Sequence, residues 1–193
     1  MKHIKNIILD IGGIIFDDSK KNLEKLLKKD CDTLYKIAYG KGFKECLLGN
    51  KKVDEYIETL SNYKDFEDLK YILNKKNLSK SYPLITKNFD YIKTLKKQGF
   101  KLYLLTNITE ESYNYINNLI NINSIFEGGI YSYQEHILKP DKRIYNLLVN
   151  KYNLEKSETV FFDDKERNVI SAISQGIDSY VFKSTQDIEN NIK

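Results

Sequence analysis

The chain reads as an α/β protein: a parallel sheet with helices on both faces, interrupted early by a small helical insert. Three observations carry that reading. After Pro83, short apolar runs alternate with segments of helical spacing, the pattern of strands joined by helical crossovers. The first run, Ile7-Ile8-Leu9, is continuous rather than alternating, as in a strand buried on both faces. Between Ser19 and Pro83 only helical periodicity is found. Composition agrees. Of 193 residues, 41% are hydrophobic and 30% charged, with two prolines. That is enough for a sizeable core, and it excludes a disordered, collagen-like or proline-rich chain.

The elements follow in order. Lys5 to Leu9 is the first strand, ended by Asp10-Ile11-Gly12-Gly13. From Ser19 the period changes: Leu23, Leu26 and Leu27 share one helical face, and Leu34, Ile37 and Ala38 another. Residues 53–73 supply one or two more helices through Ile57, Leu60, Leu69, Ile72 and Leu73. After Pro83, Ile85, Phe89, Ile92 and Leu95 mark a helix stopped at Gly99. A strand over Phe100 to Leu105 turns at Thr106-Asn107, and a helix with Tyr113, Ile116 and Ile120 follows. Ile130-Tyr131 is a short strand. Pro140 opens a helix carrying Ile144, Leu147 and Leu148. Thr159 to Phe162 is a strand ending in Asp163-Asp164. A helix with Val169, Ile170 and Ile173 stops at Gly176, and Ser179 to Phe182 is the last strand.

In such a sheet every strand ends on the same edge, and ligands bind there. Asp10, Thr106 and Asp163-Asp164 all stand at strand ends, far apart in sequence yet gathered by the fold. Lys139, in Lys139-Pro140-Asp141, precedes the last acidic pair. Carboxylates converging on one rim suit a hard divalent cation such as Mg²⁺. An ammonium and a hydroxyl beside them suit a phosphate, and one carboxylate can serve as a nucleophile.

The four segments, in this order and in strand–turn context, resemble the motifs of the haloacid dehalogenase (HAD) superfamily. Asp10-Ile11-Gly12-Gly13 is similar to the first motif of its sugar-phosphate phosphatase-like branch, D-x-G-[NG]-V. The resemblance implies a Rossmann-like core over residues 1–18 and 84–193 and a helical, C1-type cap over 19–83. It implies that Asp10 attacks phosphorus and ligates Mg²⁺ together with the Gly12 carbonyl. Thr106 and the Asn107 amide would hold phosphoryl oxygens, and Lys139 would neutralise the nucleophile and the phosphate. Asp164 would be the main further metal ligand, with Asp163 beside it. The expected activity is hydrolysis of a small phosphorylated metabolite, such as a sugar phosphate, through an aspartyl-phosphate.

One departure stands out. The superfamily's phosphatases usually place a second Asp two residues after the nucleophile, as general acid and base. Here that residue is Gly12, which transfers no proton, and such a group contributes roughly 10²–10⁴-fold. Asp17 and Asp18 lie nearby in sequence and His136 precedes Lys139, but none stands at the family's position, so good leaving groups should be favoured. Two alternatives stay open: a 2-haloacid dehalogenase on the same fold, against which the Asp163-Asp164 pair speaks, and a weakly catalytic or non-catalytic phosphate-binding regulator.

The remaining features are bland. Net charge is +4, and the lysines are interleaved with acids rather than gathered into a basic stripe. No nucleic-acid partner is expected. No apolar run reaches the ~18 residues of a membrane span. Cys31 and Cys46 have no metal-ligand spacing and suit a reducing compartment. The expectation is a cytoplasmic monomer or homodimer. His136 reads as a loop residue, and Arg167 and Asn168 as packing or helix-start residues. Tyr39, Phe43, Tyr56 and Tyr63 in the cap read mostly as core or half-buried residues, with room for one or two to face substrate.

Overall fold

The computed structural model describes residues 3–192. Five parallel strands form one sheet: β1 (Asn6–Leu9), β2 (Lys101–Thr106), β3 (Gly128–Tyr131), β4 (Thr159–Asp163) and β5 (Asp178–Val181). Their spatial order is β3-β2-β1-β4-β5. The chain therefore builds outward from β1 to β3, then crosses to the other side of β1 for β4 and β5. The crevice where that direction reverses lies between the carboxyl ends of β1 and β4, the usual ligand position in open α/β sheets.

Both faces of the sheet are covered. Ile7, Leu9, Leu102, Leu104, Val160 and Phe162 point into one core. That core is closed by α7 (Thr86–Lys97), α8 (Glu110–Ile120) and α12 (Thr185–Asn191) through Phe89, Ile116 and Ile188. Ile8, Tyr103, Leu105 and Phe161 point the other way. There they meet α10 (Lys142–Lys151) and α11 (Glu166–Ile173) through Ile144, Leu148 and Ala172. Each buried aliphatic or phenyl side chain contributes ~1.5–3 kcal/mol. With period-2 alternation feeding both cores, a one-residue slip of β1 would exchange its two faces. Its register positions Asp10, the next residue. A short helix, α9 (Ser132–Glu135), follows β3.

Between β1 and α7 the chain makes α1 (Lys20–Leu27), α2 (Asp32–Ala38), α3 (Phe43–Leu47), α4 (Val53–Thr59), α5 (Phe66–Leu73) and α6 (Leu78–Ser81). These helices pack around their own core, including Leu23, Leu34, Tyr56, Leu69 and Ile72. Ser19 caps α1 by accepting a hydrogen bond from the Asn22 amide at 3.2 Å. The insert leaves and returns through one neck. Phe16 bridges both Gly12 and Leu84, and the Asp17 amide donates to the Pro83 carbonyl at 2.9 Å. Opposite the neck, the insert is tied to the core again. Ser132 Oγ donates to the Leu47 carbonyl at 2.6 Å, and the Val53 amide donates to Glu111 Oε1 at 3.1 Å.

Candidate active site

Asp10 follows β1 directly, and its amide donates to the Phe162 carbonyl of β4 at 3.0 Å, so the central strand pair sets its position. Its Oδ1 accepts from the Ile11 amide at 2.8 Å and lies 2.9 Å from Lys139 Nζ. The Lys139 ammonium also donates to Asp163 Oδ2 at 2.6 Å and to the Leu105 carbonyl at 2.7 Å. This lysine is the hub of the site: its side chain is 1% exposed, against 6% for Asp10 and 0% for Asp163. An unpaired ammonium there would be very costly, so the two carboxylates are required partners.

Asn107 holds the lysine's backbone. Its Oδ1 accepts from the Lys139 amide at 2.8 Å, and its Nδ2 donates to the Lys139 carbonyl at 3.0 Å. Asp163 is similarly fixed. Its Oδ1 accepts from the Lys165 amide at 2.8 Å, and Asn168 Nδ2 donates to both carboxylate oxygens at 2.9 and 3.0 Å. Thr106 ends β2 and is buried, outside the lining of the central cavity. Asn107, Lys139 and Asp10 line that cavity, with Gly12, Asp18, Lys165 and Asn168.

Asp10, Asp163 and Asp164 each bring one carboxylate oxygen within 4.8 Å of the others. Asp164 Oδ1 is buried and has no hydrogen-bond partner among the described residues; the Lys165 ammonium, 3.9 Å away, is beyond hydrogen-bond reach. Gly13, at φ +71°, makes room for this acid: a Cβ there would lie 2.8 Å from Asp164 Oδ2. An orphaned buried carboxylate oxygen among other hard oxygen donors fits a divalent cation of the Mg²⁺ type.

The electrostatics match. Burial raises the Asp164 carboxyl to about 7; Lys165 opposes this, and Asp10, Asp18 and Asp163 add to it. Burial also raises Asp10, with the Lys139 ammonium pulling the other way. At Asp163, burial is outweighed by Lys139 and by the bonds from the Lys165 amide and Asn168, so its carboxyl lies below the ordinary range. The anionic Asp163 is thereby the lasting counter-ion of Lys139.

Gly12 has an unexpected neighbour. A Cβ built on it would lie 2.7 Å from Asp18 Oδ2. The carboxylate oxygens of an aspartate stand roughly 2.4 Å from their own Cβ, given ordinary C–C and C–O lengths. Asp18 thus puts a carboxylate oxygen at nearly the radius that an aspartate at position 12 would reach. Burial raises its carboxyl, opposed by Lys165, whose Nζ is 3.7 Å from Asp18 Oδ2.

Two contributors, Asn168 and Lys165, escaped the reading of the sequence as site residues, and a third, Asp18, stood out there only as an acid near the nucleophile in sequence. Asn168, expected to serve packing or helix-start hydrogen bonds, makes such bonds to Asp163 and thereby orients that carboxylate. Lys165 stands between Asp18 and Asp164, 3.9 Å from the latter. Asp18 occupies the space beside Gly12. Only Asn168, the third residue of α11 and four after Asp164, carried a local signal. Tyr39 and Phe43 line the cavity, whereas Tyr56 and Tyr63 do not. His136 Nδ1 pairs with the Leu48 carbonyl at 2.7 Å, at the contact between insert and core.

Comparison with known proteins identifies the family. The family model described as haloacid dehalogenase-like hydrolase matches residues 4–176. A D-ribitol-5-phosphate phosphatase of Bacteroides thetaiotaomicron is 26% identical over 188 residues, 92% of this chain and 91% of that protein. A sesquiterpene phosphatase of Aspergillus oryzae is 31% identical over 86 residues; the match takes in 45% of this chain and 44% of that protein's length. A crystal structure of a HAD family enzyme from B. thetaiotaomicron, in complex with magnesium and inorganic phosphate, superposes with a TM-score of 0.75 at 20% identity. It covers 98% of this chain and all of the other, which establishes the shared fold. By the breadth of the family match, the chain belongs to the haloacid dehalogenase-like hydrolases.

Proposed function

We propose that this hydrolase is a Mg²⁺-dependent phosphomonoesterase acting on a small phosphorylated metabolite, sugar phosphates among them, through an aspartyl-phosphate. The observation that carries this is the Asp10–Lys139–Asp163 cluster with the unpartnered Asp164 oxygen beside it. Asp10, Asp164 and the Gly12 carbonyl would hold the cation, with Asp163 alongside. When bound, Mg²⁺ would polarise the phosphoryl group and offset its charge.

The chain's own groups supply the rest. The Asp10 oxygen not held by the Ile11 amide and Lys139 attacks phosphorus, and the bond to the alcohol oxygen breaks. Water then attacks the phosphoryl group, releasing inorganic phosphate and the Asp10 carboxylate. Lys139 neutralises charge at the nucleophile, and its fixed position needs no rearrangement during the reaction. Thr106, buried at the end of β2, and Asn107 beside it are assigned to phosphoryl oxygens. Asp18 is assigned the proton transfers that Gly12 cannot make, first to the leaving alcohol and then from the attacking water.

The free, buried Cys31 and Cys46 suit a reducing compartment, and we assign the protein to the cytoplasm. No helix among the described residues is long and apolar enough to cross a membrane. The test is phosphate release from a panel of monoesters, with Mg²⁺ or with EDTA, by the wild type and Asp10→Asn. Release that needs both Mg²⁺ and Asp10 supports the reading. Equal background from both proteins makes the chain a phosphate binder. Turnover of a 2-haloacid in EDTA makes it a dehalogenase.

A further inference from the structure

The cavity above Asp10 has a volume of about 340 Å³, near the small end of the ~300–1,000 Å³ typical of ligand pockets. Its two walls differ in chemistry. Every charged side chain that lines it, Asp10, Asp18, Glu111, Lys139, Lys165 and Arg167, comes from the core. The helical insert contributes three tyrosines, one phenylalanine, five aliphatic side chains and one serine. Of its four hydroxyls two are already committed to backbone carbonyls, leaving those of Tyr39 and Tyr82 against five aliphatic side chains and Phe43. Ser81 Oγ donates to Asn77 at 3.3 Å, and Tyr35 donates to Asp18 at 3.2 Å. Glu111, the acid beside this wall, already accepts from the Val53 amide.

A sugar or polyol bound at the floor by its phosphate would turn several hydroxyls toward this wall. Each would exchange water for hydrocarbon and lose binding unless matched. An aliphatic or aromatic alcohol would gain from the same wall. Tyr39, Phe43, Leu47 and Leu78 offer flat and branched apolar surface, and the acidic cluster reaches the cavity through Asp10. We infer that the preferred substrate class is the phosphate monoester of a compact, predominantly hydrocarbon alcohol, rather than a sugar phosphate. This rests on the phosphomonoesterase reading above and narrows it.

The test compares esters of equal chain length: pentyl phosphate and ribitol 5-phosphate, with ethyl, propyl and hexyl phosphates as a series and p-nitrophenyl phosphate as a generic control. Each added methylene that reaches the wall should raise kcat/KM about fourfold. Pentyl phosphate should exceed ribitol 5-phosphate by about tenfold or more. Phe43→Ser should narrow that ratio by about threefold or more, mainly through KM for the pentyl ester. Calorimetry with Asp10→Asn and both esters reads the same preference without turnover. Ribitol 5-phosphate equal to or better than pentyl phosphate, with Asp10-dependent turnover retained, overturns the substrate class and leaves the phosphatase intact. No Asp10-dependent release from any ester, the p-nitrophenyl control included, overturns both.

Discussion

Replacing Lys139 by methionine keeps the aliphatic bulk of the side chain and removes the ammonium that separates two buried acids. Three contacts vanish together: those to Asp10 Oδ1, Asp163 Oδ2 and the Leu105 carbonyl. Removing one partner from a buried ion pair typically costs ~3–5 kcal/mol, because a charge is left uncompensated. Here the fold has one escape, which is to protonate a carboxyl. Against an unfolded value near 3.9, that costs ~1.36 kcal/mol per pH unit: about 5 kcal/mol at about pH 7.5, but only about 1.5 kcal/mol at about pH 5. The variant's folded carboxyl therefore has a raised pKa. The folded state holds a proton that the unfolded state releases, so stability falls as pH rises above the unfolded value. Urea denaturation in EDTA should show a loss of about 3–5 kcal/mol at about pH 7.5, shrinking to about 2 kcal/mol or less at about pH 5. Adding Asp163→Asn should recover much of the loss at the higher pH, as a coupled pair requires. A loss under about 1 kcal/mol, or one equal at both pH values, would refute the claim that Lys139 is the electrostatic hub.

Other expectations follow from the same geometry. The metal-free Asp164 carboxyl sits at about 7, so protons compete with Mg²⁺ below that value. The half-saturating Mg²⁺ concentration, read by calorimetry, should rise up to about tenfold per pH unit below about 7 and level off above it. Since that carboxyl is raised from 3.8, it favours the metal-free fold at low pH and loses that contribution as pH rises toward 7; the Tm gain on adding Mg²⁺ should be larger at about pH 8 than at about pH 6. Gly13→Ala forces a left-handed residue to carry a Cβ against Asp164; thermal unfolding should show a loss of at least ~1–2 kcal/mol, with weaker Mg²⁺ binding. Asp18→Asn should lower kcat on alkyl phosphates by about 10²-fold or more; acetyl phosphate, which needs no leaving-group proton, should show only the part of that loss owed to water activation. An alkyl-phosphate kcat within about threefold of the wild type would count against a proton-transfer role.

β1, β2 and β4 were readable because burial on both faces writes itself into the chain as unbroken apolar runs. β3 was the faintest. It begins at Gly128-Gly129, where a Cβ on Gly129 would come within 2.9 Å of Leu104 Cβ on the neighbouring strand. The close approach that demands glycine also erases the usual strand composition. α12 went unread although Ser184 and Asp187 form a capping box at its start, a signal available in the sequence. The five-residue α3 and four-residue α6 are too short for a helical period to register. Within the site, residues at strand ends could be found because the fold gathers them. The approach of Asp18 to Gly12 could not, because it depends on the irregular path through the neck.

That neck has a consequence for how such a protein can change. To the sheet, residues 18–83 look like a single tight connection, since Asp17 and Pro83 meet across one backbone hydrogen bond of 2.9 Å. Closing a longer excursion from the same two points adds only about 0.6 kcal/mol per doubling of length. A lineage can therefore redraw the roof of the cavity, exchanging its hydrocarbon lining for hydroxyls or amides, without disturbing one rung of the ladder beneath. Apart from Asp18 at the neck, selection on what is recognised and selection on how it is cleaved act on separate stretches of the gene.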